Sequence, residues 1–596
     1  MINKHLDELR ALMKQHNIDV YLIPTSDFHQ SEYVGAYFTA RKFMSGFTGS
    51  AGNLVVTQKE AGLWTDGRYF IQAENQLEGS GIDLYKMGVK GVATIEEFIV
   101  EKLPEGGKLG FDGRVVDAKL GKMLEDKIGK KNATIAYEED LVNKVWTDRP
   151  ALSKEPAFLL EEKYSGKSTS VKLSELREEM KKLGTTTFVL TSLDDIAWLF
   201  NIRGNDIPCN PVVLSFAIVT LEKAEFFANP EVISDSIKAS LNQDGVTLRD
   251  YHEIYDAVTS IGSNEVVLMD TNRVNYKIAR LIPDGIQIVD RMNPTTLAKA
   301  KKNEVEIQNL RKSHLKDGIA VTKFMYWLKT NLGKIPMTEI SASDYLESLR
   351  RQQDGFIELS FNTISAFGAN AAMMHYSASE ESNATLEPGS FLLVDSGGQY
   401  YEGTTDITRT FALGQVSDEL KKHFTLVAKS MLNLSNAKFL SGCTGQNLDI
   451  LARGPLWELG IDYRCGTGHG VGYLLNVHEA PNGFRWKVVP ERNDSCVLEP
   501  GMVTTDEPGV YIEGSHGIRI ENELVCQLDE SNEYGDFLSF ETITYAPIDL
   551  DAIDVSYLQP RDIEQLNNYH KMVYEKISPF LTEDEKEWLK VYTREL

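Results

Sequence analysis

The sequence predicts an α/β (α+β) protein of three domains, two alternating α/β units followed by a larger mixed one. Three observations carry that prediction. Segments of helical and strand period alternate through residues 1–150, again through 165–300, and again from 357 to about 530. The opening pattern recurs at an offset of 167 residues. A long charged helical stretch then opens a part of the chain whose strand ends and glycine turns carry acidic residues. The length of 596 residues accommodates this organisation at about 150 residues per domain.

In chain order, Leu6, Leu9, Leu12 and Met13 mark one face of a first helix, and VYLIP reads as the strand behind it. The loop SGFTGSAG follows, then the strands NLVVT and AGLWTDGRYF. Arg68 in the latter follows an Asp-Gly turn and precedes two aromatics; its plain reading is a surface arginine paired with a neighbouring carboxylate. VWTDRPALSKEPAFLLEEKYSGKSTS, with two prolines and a Ser/Gly/Thr cluster, reads as a linker. Beyond it Leu6, Glu8, Leu9, Arg10, Met13, Lys14 and Asp27 find counterparts in Leu173, Glu175, Leu176, Arg177, Met180, Lys181 and Asp194. An internal duplication is expected, with domains at 1–158, 159–300 and 301–596. NIRGNDIPCNP replaces the glycine-rich loop in the second copy, which reads as a spacer. The third domain opens with two helices from RMNPTTLAKAKKNEVEIQNL onward and closes with the charged helix EQLNNYHKMVYEKISPF and a shorter one at 583–595.

Composition narrows the function. The 62 basic and 87 acidic side chains leave a net charge of −25 with no long basic run, which argues against nucleic acid and anionic membrane as partners. Five cysteines, odd in number and without a CxxC pair, fit a reducing compartment better than a disulfide framework. The N-terminal segment is an amphipathic helix running into a strand, unlike a signal peptide. No apolar run approaches the roughly 18 residues needed to span a bilayer. A soluble, cytoplasmic protein is expected.

The chemistry lies between Asp395 and Glu521. Asp395 ends the apolar run FLLVD, SGGQYYEG turns the chain, and TTDITRTF returns it, so a hairpin should bring Asp395 and Asp406 together. Side-by-side carboxylates repel unless a cation lies between them, or unless each pairs with an arginine such as Arg409. In GTGHGVG the glycines let backbone approach closely and leave one imidazole nitrogen of His469 free to face a cavity. Glu507 closes a strand before the turn fixed by Pro508. In IRIEN, Arg519 and Glu521 share one strand face, so Arg519 is expected to orient Glu521.

Four carboxylates and one imidazole suit Mn²⁺, Co²⁺ or Fe²⁺ better than a structural zinc. The number of carboxylates also suits two ions bridged by shared oxygens, which would activate a hydroxide between them for hydrolysis of a carbonyl or phosphoryl bond. His375 in AMMHYS and His478 in NVHEA supply two further imidazoles able to stabilise an oxyanion or protonate a leaving nitrogen. The stretch largely lacks the extra Arg and Lys that a phosphatase would bring, so amide hydrolysis is favoured.

With these motifs, together with SGFTGSAG, WTDGRYF and LDDIAWLFNIRG, nearly the whole chain resembles the pita-bread metallopeptidases, and among them the long Xaa-Pro aminopeptidases. The resemblance implies two creatinase-like N-terminal domains followed by a pita-bread catalytic domain. It implies Asp395, Asp406, His469, Glu507 and Glu521 as ligands of two divalent ions, most often Mn²⁺, with Asp406 and Glu521 bridging. His375 and His478 would bind and stabilise the reacting peptide, Tyr511 would line the site near the proline ring, and Arg68 would reach the peptide. Peptides with proline second are the implied substrates, and a homodimer the implied assembly. One departure stands out: many relatives carry histidine where this chain has Cys465. A prolidase-type dipeptidase is the nearest alternative. Methionine aminopeptidase has no place for two extra domains, and a non-catalytic binding protein of the same fold would have lost ligands.

Overall fold

The computed structural model describes residues 2–489 and 493–596. They form two compact units, one of residues 1–159 with 167–295 and the other of residues 160–166 with 296–596.

The first unit holds two six-stranded sheets. One comprises β1 (Val20–Pro24), β2 (Asn53–Thr57), β3 (Ala61–Thr65), β4 (Asp83–Lys86), β5 (Lys108–Gly110) and β6 (Thr134–Ala136), in the order β4-β3-β2-β1-β5-β6. Next come β7 (Phe158–Leu159), β8 (Thr187–Leu190) and β9 (Ile202–Arg203), of which β7 pairs with β9. With β10 (Ser215–Thr220), β11 (Ala224–Ala228), β12 (Val246–Arg249), β13 (Val266–Met269) and β14 (Gln287–Asp290), β8 builds the second sheet in the order β12-β11-β10-β8-β13-β14. Strand senses match as well: the central strand pairs antiparallel on one side and parallel on the other in both sheets. The helices in front of them, Ile2–Gln15 and Thr169–Lys182, bury Leu6, Leu9 and Met13 in one case and Leu173, Leu176 and Met180 in the other. The repeat is therefore one amphipathic stripe used twice, each buried Leu or Met contributing about 1.5–3 kcal/mol. One expectation changes: AGLWTDGRYF is a strand only to Thr65, and a helix begins at Phe70, so Arg68 lies in the turn between them.

In the second unit the helices Glu304–Asn331 and Glu339–Arg351 are each closed at the N-terminus by a capping box. Strands β15 (Phe356–Leu359), β16 (Ile364–Phe367), β17 (Ser390–Ser396), β18 (Gly398–Tyr400), β19 (Gly403–Thr404) and β20 (Ile407–Leu413) follow. They sort into two three-stranded sheets, β15-β18-β19 and β16-β17-β20. After the helix Asp418–Ser435 comes β21 (Lys438–Leu440), and after the helix Gly445–Trp457 come β22 (Gly468–Gly470), β23 (Glu479–Phe484), β24 (Val503–Asp506), β25 (Gly509–Ile512), β26 (His516–Arg519), β27 (Asn522–Asn532) and β28 (Gly535–Thr542). A six-stranded sheet runs β21-β28-β27-β24-β22-β23, while β25 and β26 pair alone as a hairpin. The helices Pro560–Ile577 and Glu583–Tyr592 close the chain. Among the described residues no helix is long and apolar enough to cross a membrane.

Candidate metal centre

The acidic candidates stand where strands end or break. Asp395 is the penultimate residue of β17 and pairs with Thr408 across to β20. The expected simple hairpin is more elaborate, because the intervening residues make their own small ladder, β18 with β19, in a different sheet. Asp406 therefore sits in the gap between β19 and β20, its amide donating to the Glu523 carboxylate at 2.7 Å. Glu507 follows the last residue of β24, and its amide donates to the Thr467 carbonyl at 2.8 Å. Glu521 falls between β26 and β27 rather than within one strand. Its amide donates to the Thr408 carbonyl at 3.1 Å and its carbonyl accepts from Arg409. At these breaks the main chain leaves its ladder, and the side chains of Asp406 and Glu521 come together.

His469 occupies the middle of β22. The neighbouring Gly468 admits the Thr505 carbonyl so closely that a Cβ there would lie 1.8 Å from it. His469 Nδ1 is 2.9 Å from the Gly470 carbonyl, an acceptor only, so Nδ1 carries the proton. Nε2 then faces Asp406 Oδ2 at 3.5 Å and Glu507 Oε1 at 3.4 Å. Ligand atoms of Asp406, His469 and Glu521 all lie within 4.8 Å of one another.

The electrostatics of this set call for a cation. Burial, then Asp395 and Glu507, holds the Asp406 carboxyl well above the usual carboxylate range. Burial, then Asp406, does the same to Glu521. Asp395 Oδ1 and Glu521 Oε1 are buried and accept no hydrogen bond. Acidic oxygens crowded in this way, with one imidazole lone pair among them, fit divalent ions that take hard oxygen ligands and tolerate one nitrogen.

Arg519 departs from its expected place. Its guanidinium donates to Asp395 Oδ2, to the Tyr511 hydroxyl at 2.7 Å and to Thr408 Oγ1 at 3.1 Å. Thr408 in turn donates to Glu521 Oε2 at 2.7 Å, so Arg519 reaches Glu521 only through that hydroxyl. The break at Ile520 and Glu521 is the reason, since strand alternation no longer holds across it. Arg409 pairs with neither aspartate; its donors go to carbonyls of Thr408, Glu521, Ala546 and Pro547, to Asn522 Oδ1 and to the Tyr569 hydroxyl. No sequence signal marks Thr408 or Glu523, which bond Glu521 and the Asp406 amide, because the strand period is interrupted at Asp406 and at Glu521.

Comparison with known proteins agrees along the whole chain. Models of the creatinase/prolidase N-terminal domain match residues 5–144 and 148–306. The model of metallopeptidase family M24 matches 308–527, and that of its C-terminal region 536–596. A probable Xaa-Pro aminopeptidase P of Botryotinia fuckeliana is 40% identical over 98% of this chain and 91% of its own. Its counterpart in Tuber melanosporum is 39% identical, covering 98% of each chain. The chain belongs to the Xaa-Pro aminopeptidase P family of M24 metallopeptidases. The X-prolyl aminopeptidase of Caenorhabditis elegans, described as a cytosolic enzyme with a di-nuclear active site, superposes with a TM-score of 0.94 at 36% identity over 100% of both chains. An Xaa-Pro dipeptidase from Bacillus anthracis matches 64% of this chain and 99% of its own, at 25% identity and a TM-score of 0.52.

The residues that the Xaa-Pro aminopeptidase resemblance adds are spread more widely. His478 packs its ring against His469 with centroids 4.3 Å apart and planes at 88°. His375 is exposed on the turn after the short helix Gly368–Ala372. That helix lies against β26, where a Cβ on Gly517 would meet the Ala371 carbonyl at 1.8 Å. Tyr511 is half-buried on β25, its hydroxyl held by Arg519. Cys465 lies close enough to Glu507 and Arg519 to feel both charges, and burial pushes its thiol up to about 12. Arg68, in the first unit, forms a two-pronged pair with Asp66, Nε and one Nη each at 2.8 Å from a carboxylate oxygen.

Proposed function

We propose that this chain removes the N-terminal residue of peptides whose second residue is proline, with two divalent ions held by Asp395, Asp406, His469, Glu507 and Glu521. The observation that carries the reading is the convergence of Asp406, His469 and Glu521 within 4.8 Å, in a family whose members bear the name of that activity. Bound there, two divalent ions supply Lewis-acid polarisation of the scissile carbonyl and acidify water. Mn²⁺ is the proposed metal, and Asp406 and Glu521 would help to hold it.

The side chains of the site divide the remaining work. Gly470 holds the Nδ1 proton of His469, so that Nε2 keeps its lone pair directed at the acidic cluster. Arg519 donates to Asp395 Oδ2 and fixes the direction of that carboxylate. His478 and His375 are assigned to the substrate: an imidazole beside the scissile bond stabilises the oxyanion, and one beside the leaving nitrogen delivers a proton. The nitrogen of an Xaa-Pro bond is tertiary and carries no hydrogen, so it leaves only once protonated. Tyr511 and Cys465 are assigned to the pocket for the proline ring, Arg68 to the far end of the peptide. A free α-amine is drawn to a site of this acidity. Three domains, a cytosolic location and a homodimer complete the proposal.

Arg-Pro-Pro and Ala-Pro separate this activity from that of a dipeptidase. The manganese-loaded protein is expected to cut the tripeptide, and exclusive cleavage of the dipeptide would overturn the choice. Asp406→Ala should lose metal and nearly all activity while its circular dichroism is unchanged. Turnover by that variant after metal stripping would remove the mechanism.

A further inference from the structure

The loop 471–478 leaves the strand of one imidazole, His469, and delivers another, His478. It closes where Gly470 and Glu479 face each other as register partners of β22 and β23. Into that closure runs Lys302, from the segment just before the helix Glu304–Asn331. Its Nζ donates to the Val471 carbonyl at 2.6 Å and to the Glu479 carboxylate. The two side chains are 1% and 3% exposed, so this ionic pair is shielded from water. Lys299 brings a second ammonium to within 3.3 Å of the same carboxylate. At mid-loop, Gln399, on the ladder between Asp395 and Asp406, donates to the Leu475 carbonyl at 2.8 Å. One cation thus grips the first residue of the loop and the residue directly after His478.

We infer that Lys302, acting through Glu479, is a positioning residue that sets His478 for the reaction. The inference rests on the role proposed above for His478. Without this tie the residue beside His478 is released, and a shift of that imidazole by about 1 Å costs on the order of 100-fold in rate. Because Lys299 remains beside Glu479 when Lys302 is replaced, the carboxylate keeps a partner and the fold has a route to survive.

The test is a double-mutant cycle on the full chain loaded with Mn²⁺, read as cleavage of Arg-Pro-Pro together with metal content and circular dichroism. Lys302→Met is expected to lower kcat roughly 10- to 100-fold with metal content unchanged, and Lys302→Arg to restore part of the loss. Lys302→Met combined with His478→Ala should be no slower than His478→Ala alone. Multiplication of the two defects, or loss of metal in Lys302→Met, would overturn the inference and leave His478 in its role. A His478→Ala enzyme of full activity would overturn the role of His478 and this inference with it, while the metal site would stand. If Lys302→Met does not fold, Glu479→Gln enters the same cycle with the same outcomes.

Discussion

Thr408 accepts a hydrogen bond from Arg519 and gives one to Glu521, so a single hydroxyl relates the partner of Asp395 to a second acid of the cluster. Thr408→Val keeps the shape and removes both bonds. It should weaken metal affinity by about 10- to 100-fold, measured by titrating Mn²⁺ into chelator-treated protein. Affinity equal to that of the unchanged chain would show that Glu521 needs no such support. At this scale most of the candidate site was legible, because Asp395, Asp406, His469, Glu507 and Glu521 stand beside turn glycines or strand ends that are visible as letters. Arg519 was legible as a participant and not as to its partner, since the chain leaves its strand just before Glu521.

Between elements, a buried ion pair fastens the ladder that separates the two aspartates. Asp317, on the helix Glu304–Asn331, meets Arg350, on Glu339–Arg351, through two bonds of 2.6 and 3.0 Å, and also accepts from Tyr400 and Thr405 at 2.9 Å. Burial alone would raise the Asp317 carboxyl, but Arg350 brings it below the usual carboxylate range. Asp317→Asn leaves a buried guanidinium without its counter-charge and should cost about 3–5 kcal/mol in urea unfolding. Replacing both partners with apolar residues should recover much of that loss, and a double variant no better than Asp317→Asn would count against this account. In the first unit, His29 links the two duplicated halves, with Nδ1 3.0 Å from the Thr191 carbonyl and Nε2 2.7 Å from the Tyr251 hydroxyl. Burial lowers His29 to about 4. The unfolded chain binds this proton near pH 6.5 and the folded chain only near 4, so the stabilisation is complete above pH 6.5 and lost as pH falls towards 4. The loss amounts to roughly 3 kcal/mol. His29→Gln should flatten that part of the pH dependence of urea unfolding, and an unchanged slope would place the proton uptake elsewhere. His516 and His570, lowered by burial to about 4 and about 3, add to the slope with the same sign.

For the whole molecule, an acidic site that binds ions only when folded couples metal to stability. Chelation should lower the thermal midpoint, and added Mn²⁺ should raise it with the logarithm of free metal, by about 2.7 kcal/mol at 100 times the dissociation constant. A midpoint indifferent to metal would contradict the proposed centre. The sequence by itself determined the fold class and pointed to the duplication and to the candidate residues of the site, because helical stripes, strand ends and glycine turns are local and recur at a readable spacing. The matching strand orders of the two N-terminal sheets agree with that reading. Only the tertiary structure decided which side chain holds which: Arg519 with Asp395, Thr408 with Glu521, Lys302 with Glu479. These partners stand more than 100 residues apart along the chain, where periodicity carries no information. Burial selects them, since a charge taken from water must meet the nearest opposite charge or hydrogen-bond partner that the packed fold supplies.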